Sequence, residues 1–388
     1  MLELSSQTYG LEEMDAISRV LLSGRVTMGE ETLAFEKEFA DYIGTEHAIM
    51  VNSGSSANLL IVASLIATKT LRPGDHVIAP ALSWSTTVWP LLQHGLKVSL
   101  VDCDMSLQID PRALPKGASI KAVFAANILG SPCNIIALQT FCNDHNCLLL
   151  EDSCETLGAT YRGFRTGRFG YMSSFSFYFS HHITTVEGGM VVTNDPMQAN
   201  HARAMRSHGW ARAFGGIERS LFEGENPTID PRFLFVTEGY NLRPTEMQAA
   251  MGRVQLGKLP AFAQRRAEVH SAMVKIVCNY PELCLPVSIP YAFPSWFAFP
   301  VICTGDRDGF SAYLERNGIQ TRPIIAGSLG KHPAFRDRVL PTSTPCADMI
   351  MKQGLYWGLH PNVTEEQLDH LARVLAAYDW EVHGDTAA

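Results

Sequence analysis

The chain has 388 residues, 46% hydrophobic and 18% charged, with a formal net charge of −8 at pH 7. That composition belongs to a globular protein long enough for one large domain and a smaller one. The acidic balance excludes a general nucleic-acid binder, which needs a basic surplus to neutralise phosphates, but leaves room for an anionic substrate held by a few arginines.

Met1-Leu2-Glu3-Leu4-Ser5 does not read as a secretory leader and no apolar run approaches the roughly 20 residues of a membrane span, so a cytoplasmic protein is expected. Residues 11–23 place apolar side chains at helical spacing up to Gly24, and a second amphipathic helix is expected from about Glu30 to Ile43. Ala48-Ile49-Met50-Val51 reads as a buried strand. Asn52-Ser53-Gly54-Ser55-Ser56-Ala57-Asn58 then leads into a helix through Leu59–Ala67. A strand, a small Gly/Ser turn and a helix N-terminus form an anion site in many proteins, and serve simply as turn and cap in as many others. No Gly-Lys-Ser/Thr follows, so it is not a Walker A loop.

Asp75–Pro80, Val98–Val101, Ala122–Ala126 and Leu148–Asp152 read as further strands, with a helix headed by Leu82-Ser83-Trp84-Ser85-Thr86-Thr87. Their alternation predicts a mostly parallel sheet covered by helices on both faces. Gly54–Ser56, Trp84, Asp152 and the run Ser174–Gly189 would all lie just beyond strand ends, where such sheets keep their ligands. A helix over about Met197–Arg206, a polar, glycine-rich stretch to Phe235, a helix opened by Gly239-Tyr240-Asn241-Leu242-Arg243-Pro244, and a separate long helix after Pro260 (about Phe262–Tyr280) complete the expectation. The change of composition predicts a large domain over 1–254 and a small α/β lobe over 255–388. The nine cysteines include no Cys-x-x-Cys pair, which favours buried reduced thiols over a zinc or thioredoxin-like site.

Ser174-Phe175-Ser176, the histidine pair His181-His182 and Glu187-Gly188-Gly189 carry a resemblance. The chain resembles the DegT/DnrJ/EryC1/StrS family of sugar aminotransferases over nearly its whole length. The resemblance implies a pyridoxal-phosphate fold of type I, α/β, aspartate aminotransferase-like, and a homodimer. It also implies that Gly54, Ser55 and Ser56 hold the cofactor phosphate with Ser176, that Trp84 stacks on the pyridine ring, and that Asp152 pairs with the ring nitrogen. Glu155 stands where the family has Gln or His, and Asn241 matches an asparagine that reaches the neighbouring subunit's phosphate.

The family's Schiff-base lysine is replaced by His181, and no lysine occurs between Lys121 and Lys258 to stand in for it. A histidine can still move protons near neutrality. This exchange resembles the sugar 3-dehydratase subgroup, in which the pyridoxamine form of the cofactor serves loss of the C3 hydroxyl from a nucleotide-linked 4-keto-6-deoxyhexose. One branch of that subgroup needs an iron–sulfur cluster. Here no cysteine lies between Cys154 and Cys278, so the chain is similar to the iron-independent branch: no metal, a GDP-linked sugar, and L-glutamate as amino donor. His208, Arg212, Arg243 and Arg322 are the candidate contacts to sugar and diphosphate, although a solvated or salt-bridged side chain is the better reading of each arginine taken singly. The residues leave open the same reaction on a CDP- or dTDP-sugar, an unusual transaminase, and a non-catalytic cofactor-binding regulator.

Overall fold

The structure is a computed structural model that describes residues 1–117 and 119–380. Helices α1 (Leu11–Ser23) and α2 (Glu30–Ile43) lie where the periodicity puts them, each stopped by a left-handed glycine. Strand β1 (His47–Val51) delivers Ser53, whose hydroxyl accepts the Ser56 N–H at 3.0 Å and caps α3 (Gly54–Ala67). Helix α3 is apolar nearly all round and buried accordingly.

There follow β2 (His76–Pro80), α4 (Ser85–Gln93), β3 (Lys97–Val101), β4 (Ile120–Ala126), α5 (Ile135–His145) and β5 (Leu148–Asp152). After a short ribbon, β6 (Thr160–Tyr161) and β7 (Phe164–Arg165), come β8 (Met172–Ser176) and β9 (Gly189–Thr193). The main sheet has the order β1-β9-β8-β5-β4-β2-β3. Only β9 is reversed, antiparallel to both β1 and β8, while β8, β5, β4, β2 and β3 pair in parallel. The parallel ends of β2, β4, β5 and β8 therefore share one edge, as the alternation of strands and helices predicts.

Helix α6 (Pro196–Arg206) starts on the Asp195 cap. Two differences from expectation follow. The polar stretch before Phe235 contains a helix, α7 (Gly216–Glu225), whose apolar Ile217 and Leu221 are exposed, so the burial pattern that announces a helix is missing. And α8 runs unbroken from Glu246 to Val277 through Pro260, where two helices are expected. An interior proline costs roughly 3 kcal/mol. Packing on both sides offsets it: Leu256 and Leu259 enter one core, Val269, Met273 and Val277 another, and Thr245 closes a capping box at the start.

The remaining elements are β10 (Leu283–Cys284), β11 (Ala292–Phe293), β12 (Ala298–Cys303), α9 (Arg307–Arg316), β13 (Thr321–Pro323), α10 (Pro345–Gln353), β14 (Gly354–Gly358) and α11 (Glu365–Ala376). A four-stranded antiparallel sheet, β10-β12-β14-β13, packs Phe299 and Trp357 against α8, α9 and α11, and Leu2 from the N-terminus joins that core. Strand β11 instead pairs with β6 of the ribbon. The expected boundary at 254/255 falls within α8, and residues 381–388 of the expected small lobe lie outside the described residues. No helix among the described residues is long and apolar enough to cross a membrane.

The segment entering β12 crosses the end of the main sheet at Gly130, which has φ 91°. A Cβ there would fall 2.0 Å from the Ser295 carbonyl oxygen and 2.5 Å from Trp296 Cα. Gly130→Ala is expected to lower the unfolding free energy by about 2–4 kcal/mol, seen as a lower midpoint in urea titration. An unchanged midpoint would contradict this account of the crossing.

Candidate active site

The shared edge of the main sheet opens into a cavity of about 510 Å³. One wall is the N-terminus of α3, where Ser53, Gly54 and Ser55 lie beside Ser176 at the end of β8. The contact requires glycine: a Cβ on Gly54 would meet Ser176 Cβ at 2.6 Å and the Cys154 thiol at 3.0 Å. Free N–H groups, a helix dipole and hydroxyls make this wall an anion cradle. Ser56 does not line the cavity; its backbone and hydroxyl are engaged by Ser53.

Asp152 ends β5 on the cavity floor with only 7% of its surface exposed. Its Oδ2 accepts from Asn58 Nδ2 and Thr87 Oγ1, each at 2.7 Å, and its Oδ1 accepts the Cys154 N–H at 3.2 Å. Ser174 Oγ donates to Asn58 Oδ1 at 2.5 Å and stands 3.5 Å from Asp152. Trp84, at the N-cap of α4, is 57% exposed and presents an open aromatic face to the cavity.

His181 lies five residues beyond β8. Its Nδ1 is 2.8 Å from the Cys154 carbonyl, which can only accept, so Nδ1 carries the proton and Nε2 keeps its lone pair. Burial pushes this imidazole down to about 4, against the opposing pulls of the Cys154 carbonyl and the Asp152 charge. Glu155 is shifted the other way: burial pushes it up to about 7, opposed by the Leu129 N–H it accepts at 2.8 Å. At neutral pH one cavity thus holds an unprotonated imidazole beside a carboxyl that is partly protonated, a base and an acid together. No lysine among the described residues lines the cavity. His182 is 1% exposed and donates from Nε2 to the Ser295 carbonyl at 2.7 Å, so it orients rather than reacts.

Of the expected substrate contacts, Arg322 lines the cavity, reaching it from the small sheet. His208, Arg212, Arg243 and Asn241 do not. Arg212 stacks 3.6 Å over Trp210, with His208 at that ring's edge, and Asn241 accepts from Arg243 at 2.9 Å on an exposed surface. Sequence reading did not single out Asn58 or Thr87, although each lies four residues after a turn residue already in view (Gly54 and Ser83), hence one helical turn further on the same face. Phe297 and Tyr356 also line the cavity, and no local signal marks them.

Residues 7–376 match the profile of the DegT/DnrJ/EryC1/StrS aminotransferase family. The chain belongs to that family. It is 36% identical over 384 residues to the GDP-4-keto-6-deoxy-D-mannose 3-dehydratase of Yersinia pseudotuberculosis, covering 96% of this chain and 97% of that one. Among solved structures it is similar to a GDP-4-keto-6-deoxymannose-3-dehydratase mutant with bound GDP-perosamine (TM-score 0.91, 36% identity, 97% and 100% of the two chains). A second structure of that enzyme, with a trapped PLP-glutamate geminal diamine, gives a TM-score of 0.90 at 35% identity, covering 97% and 100%. The fold is accordingly the α/β aminotransferase fold of these cofactor-dependent enzymes.

Burial holds His182 well below its ordinary range and His181, His270 and His360 down to about 4. In the unfolded chain these rings take a proton near pH 6.5, in the folded one only near 4 or below. Their contribution to stability is therefore complete above about pH 6.5 and is lost as pH falls towards 4. Glu155, shifted upward, acts in reverse: its contribution is full below about pH 4.3 and lost as pH rises through about 7. Unfolding free energy from urea titration is expected to fall between pH 7.5 and 5 by on the order of 1 kcal/mol per buried histidine. Equal values at the two pH values would refute the neutral-histidine assignment.

Proposed function

We propose that the chain is a PLP/PMP-dependent 3-dehydratase that removes the C3 hydroxyl of a GDP-linked 4-keto-6-deoxyhexose, with L-glutamate restoring the pyridoxamine form. The observation that carries the reading is a neutral histidine with a free Nε2, in a cavity that no lysine among the described residues lines. By the resemblance, this is where the family keeps its Schiff-base lysine. The relatives named for this reaction match nearly full length, and their cofactor, glutamate adduct and GDP-sugar support the same set of ligands here.

The residues fit the cofactor. Ser55, Ser176 and the α3 N-terminus around Gly54 suit its phosphate, with Ser56 buttressing the turn. Asp152, buried at the far end of the cavity, suits a protonated ring nitrogen, and Trp84 suits a ring face. When bound, the cofactor supplies an electron sink for the carbon that loses its proton. The protein's part is proton traffic and positioning. Nε2 of His181 takes up a proton and, as an N–H, returns it to the departing C3 hydroxyl, which leaves as water. Arg322 holds the anionic end of the substrate, and Glu155 supports the proton balance from within the same cavity.

The active unit in this reading is a cytoplasmic homodimer of chains with a large domain over 1–254 and a small lobe over 255–388. Asn241, His208, Arg212 and Arg243 lie away from their own cavity, which suits a role in the neighbouring one.

The test is mass spectrometry of the sugar after incubation with pyridoxal phosphate, glutamate and GDP-4-keto-6-deoxy-mannose. The protein is expected to release a 3-deoxy sugar and ammonia. His181→Asn is expected to reduce the rate at least about 100-fold while binding cofactor, and His181→Lys to release no 3-deoxy sugar. Unaltered sugar from the native protein, across GDP-, CDP- and dTDP-linked substrates, would overturn the reading in favour of a cofactor-binding regulator.

Dimer and shared site are tested by mixing. His181→Asn and Asn241→Ala chains, each nearly inactive alone, are expected to recover up to about a quarter of native activity when refolded together, because one of the two sites in a mixed dimer is then intact. No recovery in mixed dimers would place Asn241 outside the neighbouring site.

A further inference from the structure

Arg266, on α8, is 2% exposed, and its Nη1 donates to the carbonyls of Leu359 at 2.6 Å, Trp296 at 3.0 Å and Phe297 at 3.2 Å. No carboxylate among the described residues pairs with it, and burial pushes it down to about 10. A buried guanidinium without an acid is a poor device for stability alone. Its carbonyl partners mark what it does. Phe297 and Leu359 flank Ala298–Gly358, the terminal pair of the β12–β14 ladder, so Arg266 clamps the two strands at the end of the ladder where Phe297 meets the cavity.

The clamped segment then meets the large domain. Ser295 N–H donates to the Gly130 carbonyl at 3.0 Å and Phe297 N–H to the Leu129 carbonyl at 3.2 Å. Leu129 and Gly130 both have positive φ, 54° and 91°, so this turn is strained and needs holding. The Ser295 carbonyl accepts from His182, and the Phe297 ring stands edge-on to His181 at 5.2 Å. We propose that Arg266 is a positioning residue for His181, acting through the segment Ser295–Phe297, whose carbonyl and aromatic ring fix the two adjacent histidines. The role assigned to His181 rests on the dehydratase reading above; the contacts do not.

The charge of Arg266 adds to the geometry. It acts in the same direction as burial on His181, His182 and His360, keeping each ring neutral. The other titratable or charged groups around His181 are Asp152, Cys154 and Glu155 from the end of β5, Tyr178, His182 and Glu187 from its own loop, and Arg322 and Tyr356 from the small sheet. Asp152 pulls the opposite way.

The experiment follows the His181 imidazole by ¹⁵N NMR against pH, assigned with His181→Gln, alongside steady-state kinetics of the holoenzyme. In Arg266→Met the His181 titration point is expected to rise by roughly half a unit to one unit. The kcat is expected to fall at least about 10-fold, with KM changed less than about 3-fold. Arg266→Lys is expected to restore the titration point but not the full rate, since the lysine nitrogen sits one bond nearer the backbone than Nη1 and does not reach the same three carbonyls. A folded Arg266→Met protein with both His181 titration and kcat unchanged would overturn the proposal. If Arg266→Met does not fold, Phe297→Leu decides: a fall in kcat at constant KM upholds it, and an unchanged kcat overturns it. Should the native protein prove inactive on sugar nucleotides, the dehydratase reading fails on its own, and the NMR titration still decides the role of Arg266.

Discussion

The cavity depends on one buried carboxylate. Asp152 lies at the end of β5, near the middle of the main sheet, and receives hydrogen bonds from α3 through Asn58 and from α4 through Thr87. Both donors lie near the starts of their helices, Thr87 in the first turn of α4 and Asn58 one turn into α3. Fixing them fixes the directions in which the two N-termini point, Gly54–Ser55 on one side and Trp84 on the other. Ser174 on β8 completes the tie through Asn58. An unpaired carboxylate at this depth would be costly, so the network and the cavity form together.

The main sheet and the helices around it were legible because their elements obey simple periodicities. Residues 11–23 and 30–43 alternate at helical spacing and end at glycines, and the strands are short apolar runs between turns. Failures have physical reasons. Pro260 reads as a break, yet packing from two cores carries α8 through it. Helix α7 hides because its apolar residues face outward rather than into a core. Within the site, residues that follow strand ends were readable from sequence, whereas Phe297 and Tyr356 enter from the small sheet, more than 100 residues later in the chain. Their place is set by tertiary approach, which local pattern does not encode.

The exchange of lysine for histidine at 181 alters more than one bond. A buried amine would lose its charge, as buried histidine does, but it would present a flexible primary amine able to bond covalently to an aldehyde. The imidazole cannot form that link. It is instead held by the Cys154 carbonyl at one nitrogen, leaving the other free in a fixed direction. A base with one orientation and no covalent attachment favours moving a proton within a single site over handing an amino group to the substrate.

This constraint ties His181 to the approach of the small sheet as well as to the main one. His181 emerges from a loop, not a strand, and loops alone hold side chains loosely. The rigidity comes from outside the loop, through His182 to Ser295 and through Phe297 to the ring of His181. Both contacts belong to a segment whose other side is fastened to α8, the helix that packs into both cores. A shift of the small sheet would therefore move the histidine pair directly, whereas Asp152 and the α3 turn would stay where the main sheet puts them. Coupling of this kind makes the His181 imidazole the most movable member of the cavity, and the clamp at Arg266 the feature that keeps it still.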